Sequence, residues 1–356
     1  MLAWGGCRRS GDVRDASADV ASETSASDVV ADGDMSLDPE DSVDTPVSAE
    51  VDAIEADTSE PNARDDGDTV DALTETADAL AEGEDVALAD ADRMTCRVLK
   101  SDLMPLPEAS GAALMDTQAT RILVVADSGN AGRALIMDLI RGESKGIVLP
   151  LGEGAGDDVE GLERAPDGRI FGLTSSGFMR AWAPVAGSDE LALVLGPVAI
   201  SADPEWVCDP FGVNCAANFE GLCLHPAPAM LEAGVCVGWA AAKARGELVC
   251  LRQEGEGYRL DPTTRVTITA AEQLSGCAYE PVVPYRLVAG GNLYSFSALW
   301  EVAFDASGLA RVLTLGETGA ANQEAVLLLP DGRLESFGDA QDLLGDESPH
   351  ISLECH

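Results

Sequence analysis

Between Cys96 and Cys355 the chain alternates short apolar runs with Gly, Pro and Asp, and a sustained helical period is hardly found there. Arg121-Ile-Leu-Val-Val-Ala126, Ala134-Leu-Ile-Met-Asp138, Arg169-Ile-Phe-Gly-Leu173, Leu191-Ala-Leu-Val-Leu195, Arg265-Val-Thr-Ile-Thr269 and Arg311-Val-Leu-Thr-Leu315 are of strand length. They predict an all-β domain. Ahead of it the pattern collapses. From Arg8 to Asp92 the letters are mostly Asp, Glu, Ser, Thr, Ala and Val, without a Trp, Phe or Tyr. Such a segment cannot bury enough apolar surface to offset the entropy of ordering it. The expected organisation is a disordered acidic linker over 8–93 followed by a folded domain over 94–356.

Within the folded part a phrase recurs. Asp158-Val-Glu160-Gly-Leu162 is echoed by Asn218-Phe-Glu220-Gly-Leu222, by Ala278-Tyr-Glu280-Pro-Val282 and by Asn322-Gln-Glu324-Ala-Val326. Two copies run on into Ala165-Pro-Asp-Gly168 and Leu329-Pro-Asp-Gly332, which read as hairpin turns because Pro presets φ and Gly accepts positive φ. Each phrase is therefore read as the first strand of a meander. The longer spacings are attributed to insertions, namely the Cys208 to Cys215 loop and the stretch from Glu254 to Gly257. A repeat of about 40–50 residues holding four short strands is the signature of a β-propeller. Five four-stranded blades are expected, with six as the alternative. A jelly roll or sandwich is the rival fold, but it requires neither a repeat nor adjacent chain ends.

These phrases, together with Val125-Ala-Asp127-Ser-Gly-Asn130 ahead of them, resemble the bacterial phytase-like and SdiA-regulated group of β-propellers over roughly Leu114 to Asp339. The copies at Glu160 and Glu220 match well, whereas those at Glu280 and Glu324 lack the Gly-Leu pair. The resemblance implies an extracytoplasmic propeller whose repeated acidic residues are associated with calcium in or near the central channel.

Charge narrows the partners. The chain carries 22 Lys and Arg against 63 Asp and Glu, a formal net charge of −41. Of these, 27 acids and 5 bases fall in residues 1–93, so both parts are acidic. The only lysines are Lys100, Lys145 and Lys243. Nucleic acid, whose binding rests on clustered basic side chains, is excluded as a partner. No stretch approaches the ~18 apolar residues of a membrane-spanning helix. The opening Met1-Leu-Ala-Trp-Gly-Gly-Cys7 looks like the end of a bacterial lipoprotein signal, with 1–7 its remnant and Cys7 the lipidated residue; a start codon placed too far downstream would account for the missing basic and apolar regions. Contact with a membrane is expected only through that anchor, or else the chain is secreted.

Setting Cys7 aside leaves eight cysteines without a C-x-x-C pair, and the three histidines lie in no zinc-type spacing. Disulfides in an oxidising compartment fit better. Cys96 with Cys355 would join the two ends of the domain, clasping the blade that closes the ring, and Cys208 with Cys215 would close a short loop around Pro-Phe-Gly. Eight cysteines allow 105 connectivities.

Glutamates at equivalent points of successive blades must point toward one axis. Glu160, Glu220, Glu280 and Glu324 are thus expected to converge, with Asp127, Asp158 and Asn218 as further oxygen donors, and calcium is the hard cation suited to such a set. The alternative is that these glutamates cap strand edges or bind backbone N–H groups. Enzyme signatures are missing: the sequence has no Gly-x-Ser-x-Gly elbow, His-Glu-x-x-His motif or phosphate-binding loop, and no catalytic residue is assigned. Gly152-Glu-Gly154-Ala-Gly156 precedes two aspartates that would repel phosphate, and reads as an inter-blade loop. Two functions stay open: a calcium-stabilised binding module for an envelope protein or glycan, or a calcium-dependent phosphatase or esterase of the phytase-like group.

Overall fold

The structure, a computed structural model, describes residues 96–228, 235–281, 286–292, 297–304, 310–319, 322–339 and 347–355. Cys7 and the acidic segment 8–93 lie outside these. The described residues form five antiparallel four-stranded sheets. Blade one is β2 (Ala109–Leu114), β3 (Arg121–Ala126), β4 (Arg133–Asp138) and β5 (Glu143–Val148). Blade two is β6 (Val159–Arg164), β7 (Ile170–Thr174), β8 (Phe178–Pro184) and β9 (Leu191–Ala199). Blade three holds β10 (Phe219–Leu224), β11 (Gly238–Ala242), β12 (Glu247–Glu254) and β13 (Gly257–Thr267). Blade four holds β14 (Leu274–Tyr279), β15 (Arg286–Asn292), β16 (Ser297–Phe304) and β17 (Ala310–Glu317). Blade five takes β18 (Gln323–Leu328), β19 (Arg333–Gly338) and β20 (Ser348–Cys355), and is completed by β1 (Cys96–Met104) from the other end of the domain. The five-blade propeller expected from the repeat is thus the fold.

The inner strands β2, β6, β10, β14 and β18 touch in cyclic order, and β18 returns to β2. Five apolar clusters hold the ring, one at each junction between neighbouring blades. Leu123, Val125, Ile170 and Trp182 fill the seam between blades one and two. Phe171, Phe219, Ala240 and Val249 fill the next. Trp239, Leu287 and Trp300 follow, then Val288, Val326 and Leu353, then Leu327, Phe337, Ile122 and Leu135. Burial of this kind, at about 25 cal/mol per Å² of apolar surface, drives the ring closed.

The Pro-Asp-Gly turns sit where the sequence places them, between β6 and β7 and between β18 and β19. Gly168 and Gly332 donate to the carbonyls of Ala165 and Leu329 with positive φ, at 91° and 85°. Asp167 and Asp331 accept from the backbone and guanidinium of Arg169 and Arg333. The stretch from Glu254 to Gly257, read as an insertion, is instead the tight turn that pairs Glu254 with Gly257 across β12 and β13. The Cys208 to Cys215 loop is a true insertion between blades two and three.

Four disulfides join the eight cysteines of the described residues. Cys96–Cys355 pairs directly opposed residues of β1 and β20, and Cys208–Cys215 closes its loop, as expected. Cys223–Cys277 ties β10 to β14 across two blades, and Cys236–Cys250 braces blade three. Bonds of this number and placement indicate an oxidising, extracytoplasmic environment.

Candidate functional site: an acidic channel mouth

In every blade the inner strand starts with the same irregularity. Its pairing with the second strand slips between Ala109 and Gly111, Val159 and Gly161, Phe219 and Gly221, Leu274 and Gly276, and Gln323 and Ala325. The residue inside each slip is Ser110, Glu160, Glu220, Ser275 or Glu324, which the bulge leaves unpaired with the neighbouring strand. The next residue is Gly four times and Ala once, because the inner strands approach closely there. A Cβ on Gly161 would lie 2.5 Å from the backbone nitrogen of Leu222, and one on Gly111 would lie 2.8 Å from the carbonyl of Glu160. The phrase Glu-Gly-Leu is therefore a bulge followed by a close approach.

Two further positions repeat. Glu108, Asp158, Asn218, Gln273 and Asn322 stand two residues ahead of the bulged residue. Each offers its carbonyl to the backbone N–H of the residue at the end of the second strand: Asp127, Ser175, Lys243, Asn292 and Asp339 in blade order. Glu108, Asn218 and Asn322 hold positive φ, near 50°, a conformation that Asn tolerates better than most residues. Three repeating positions in five blades thus deliver fifteen polar side chains to one end of the channel, seven of them carboxylic acids and one a lysine.

Of the candidate ligands expected from the sequence, Glu160, Glu220, Glu324, Asp127, Asp158 and Asn218 belong to this mouth. Glu280 does not. It follows the far end of β14, where Arg286 donates to it at 2.6 Å and also pairs with Glu301. The blade-four equivalent of Glu160 is Ser275; matching letters around Glu280 misplaced the repeat by five residues. Ser110 of blade one likewise falls outside a repeat defined by Glu. The signal that would have found both is apolar-Ser-Gly, in Ala109-Ser110-Gly111 and Leu274-Ser275-Gly276.

The acids are buried against a nearly solid axis. Glu160 is 5% exposed, Glu220 3% and Asp158 2%. Below them the channel narrows between Gly111, Gly161, Gly221, Gly276 and Ala325. Burial pushes Asp158 up to about 7, reinforced by the Asp127 carboxyl and opposed by the Ser175 hydroxyl that donates to it. Burial also lifts Glu160 well above the ordinary carboxylate range, with Glu220 and Asp127 adding to it. Glu324 is raised by burial and by Glu220, against the opposing Lys243 ammonium and Asn292 amide. Glu220 is raised by burial, offset by Lys243. Burial alone would weaken the hold of Lys243 on its proton, but Glu324, Glu220 and Glu160 around it reverse the sign.

Donors are unevenly shared. Lys243 Nζ lies 3.2 Å from Glu220 and 3.9 Å from Glu324. Asn292 donates to Glu324 at 2.6 Å and Asn322 to Asp339 at 2.9 Å. On the other side Asp127, Asp158 and Glu160 each bring a carboxylate oxygen within 4.8 Å of the other two. Among the described residues no ion pair reaches any of the three, and buried Asp158 Oδ1 and Asn218 Oδ1 have no hydrogen-bond partner. Crowded carboxylates without a cationic partner, one of them presenting a buried oxygen that accepts no hydrogen bond, fit a hard cation, which takes six to eight oxygens at flexible angles.

Two elements that the sequence did not reveal support this rim. Arg180, fully buried, donates to the carbonyls of Leu151, Ala155 and Gly156 at 2.7–2.8 Å and so fixes the inter-blade loop leading to Asp158. The disulfide loop packs beside it: Gly156 donates to Pro210, and Asn214 donates to the Ser175 hydroxyl that serves Asp158.

The fold and mouth define a five-bladed, disulfide-braced propeller with an acidic channel. No protein-family model and no curated protein matches the chain. Among solved structures it is similar to the PQQ-bound aldose sugar dehydrogenase of Streptomyces coelicolor, at 14% identity and TM-score 0.48, covering 74% of this chain and 99% of that one. It is also similar to a glucose dehydrogenase (14% identity, TM-score 0.42, 72% and 98% covered) and to a putative 6-phosphogluconolactonase of Bacteroides uniformis (12%, 0.40, 65% and 78%).

Proposed function

We propose that this protein is a calcium-stabilised binding module of the bacterial envelope, held outside the cytoplasm through a lipid on Cys7 or secreted, whose channel face receives an envelope protein or glycan. The observation that carries the reading is the Asp127–Asp158–Glu160 cluster with its unpartnered Asp158 Oδ1. A cation bound there would join blades one and two, since Asp127 directly follows β3 while Asp158 directly precedes β6 and Glu160 lies at its start. Asp127, Asp158, Glu160 and the Asn218 carbonyl oxygen would hold it, and its charge would relieve the repulsion among the acids. The four disulfides support the compartment.

Binding is favoured over a calcium-dependent phosphatase or esterase by the basic inventory of the mouth. Lys243 is its one basic side chain among the fifteen, and it is engaged by two glutamates. A phosphorylated substrate would meet net negative charge with no cradle of donors. The test is a calcium titration of the full chain against Asp158→Asn, both carrying the same acidic segment, so that diffuse binding cancels. Calcium should raise Tm in the native protein and do so much less in the variant. Equal shifts in both would remove the cation from this cluster, and turnover of chromogenic phosphate or carboxylate esters that is lost in Asp158→Asn would favour the enzyme reading.

A further inference from the structure

The mouth contains its own cation, and its position bears on how many others fit. Lys243 follows β11 in blade three and, with its side chain 19% exposed, reaches both Glu220 of its own blade and Glu324 of blade five. Ion pairing is thus supplied to Glu220 and Glu324, while Asp127, Asp158 and Glu160 form no ion pair with any of the described residues, although Glu160 is near enough to strengthen the hold of Lys243 on its proton. Charge counting makes the division concrete. Three carboxylates with one divalent ion carry −1, and two carboxylates with one ammonium also carry −1. Both halves reach the same balance by different means. Asn292 donates to Glu324 Oε1 and Lys243 stands 3.9 Å from Glu324 Oε2, whereas buried Asp158 Oδ1 in the other half has neither a hydrogen-bond partner nor an ion pair among the described residues.

We propose that Lys243 is a tethered counter-ion that divides the channel mouth into two cation positions, occupying the Glu220–Glu324 position itself and leaving the Asp127–Asp158–Glu160 position to a single divalent ion. This rests on the cation reading above and deepens it. Two divalent ions held among these five carboxylates would repel one another at short range, a cost that the singly charged, covalently delivered ammonium reduces. Because Lys243 cannot dissociate, it also keeps Glu220 and Glu324 compensated when calcium is scarce. The ring therefore stays closed without the ion, and calcium strengthens only the seam between blades one and two.

The test is calcium titration calorimetry of the full chain, with strontium anomalous diffraction to locate the ions. The native protein should show one tight ion, at Asp127–Asp158–Glu160. Lys243→Gln keeps a donor near Glu220 and removes the charge; it should bind a second ion at Glu220–Glu324, whereas Lys243→Arg should bind one. Two tight ions in the native protein, or one in Lys243→Gln with unchanged affinity, would overturn the proposal. Glu324→Gln provides a test that keeps the Lys243–Glu220 pair: it should leave the affinity of the first ion within threefold, and a tenfold loss would make Glu324 a ligand and end the division. No tight ion in the native protein is a different failure, that of the cation site itself.

Discussion

Removing the Cys96–Cys355 bond tests how the ring is closed. The bond joins residues 259 apart, and the chain-entropy relation assigns a loop of that size about 5–6 kcal/mol. Cys208–Cys215, with a separation of 7, is worth about 2–3 kcal/mol by the same relation. The packing around the longer bond raises its importance further. β1 pairs only with β20 and lies at the outer edge of blade five, with Val98 53%, Leu99 45% and Leu103 64% exposed. Little apolar burial therefore holds it in place, and its backbone ladder is an edge ladder open to water. In Cys96→Ala/Cys355→Ala, Tm should fall by about 10–20 °C, taking about 2–4 °C per kcal/mol for a domain of this size. Hydrogen exchange should show the amides of β1 losing protection before those of β18 and β19. Cys208→Ala/Cys215→Ala should lose about half as much. A smaller loss from the terminal pair than from the loop pair, or unchanged exchange in β1, would refute closure by the disulfide and assign it to the strand ladder alone.

Gly161→Ala should cost about 2–3 kcal/mol in urea unfolding, because its Cβ would meet backbone atoms of Gly221 and Leu222 at 2.5–2.7 Å, whereas Gly146→Ala, with nothing within 4 Å, should stay within about 0.5 kcal/mol. Glu163 is pushed by burial from 4.5 to about 8, against the opposing N–H groups of Arg164 and Leu224. Its folded form resists ionisation, so stability is lost as pH rises from the unfolded value to the folded one and is level above it. Glu163→Gln should lack that decline and gain about 2–4 kcal/mol on the native protein between pH 5 and 8, followed by thermal unfolding, part exposure of the side chain having been discounted. Arg180→Met strands three carbonyls of a buried loop and should cost about 3 kcal/mol or more, while also shrinking the calcium-dependent rise in Tm.

The blade count, the ring closure and two of four disulfides were legible because each depends on local chemistry repeated along the chain. Pro-Asp-Gly turns and apolar runs report strand boundaries directly. Most of the mouth was legible for the same reason, as the bulge residue and the Asn or Asp before it recur in Glu160, Glu220 and Glu324. What was not legible depends on geometry between blades. Glu280 looked equivalent because Tyr-Glu-Pro resembles Phe-Glu-Gly in letters, yet it follows the inner strand instead of opening it. Lys243 and Arg180 belong to no repeat at all. Each acts on a neighbouring loop or blade at a sequence distance that no local pattern encodes.

That difference separates what the scaffold imposes from what this particular chain does with it. Five equivalent bulges would by themselves give five equivalent side chains, and five glutamates around one axis would repel one another wherever calcium was absent. The chain departs from equivalence at specific points: Ser110 and Ser275 replace acids at the bulge, with Ser110 donating to the Val159 carbonyl at 2.6 Å, and Lys243 stands where other blades carry Asp, Ser or Asn. Each departure removes negative charge or adds positive charge. Of the seven acids, Asp127, Asp158 and Glu160 of adjacent blades one and two crowd together without an ion pair among the described residues, and buried Asp158 Oδ1 accepts no hydrogen bond. A symmetric backbone thus carries an asymmetric charge distribution, and the asymmetry, more than the number of acids, is the argument for one cation at one seam.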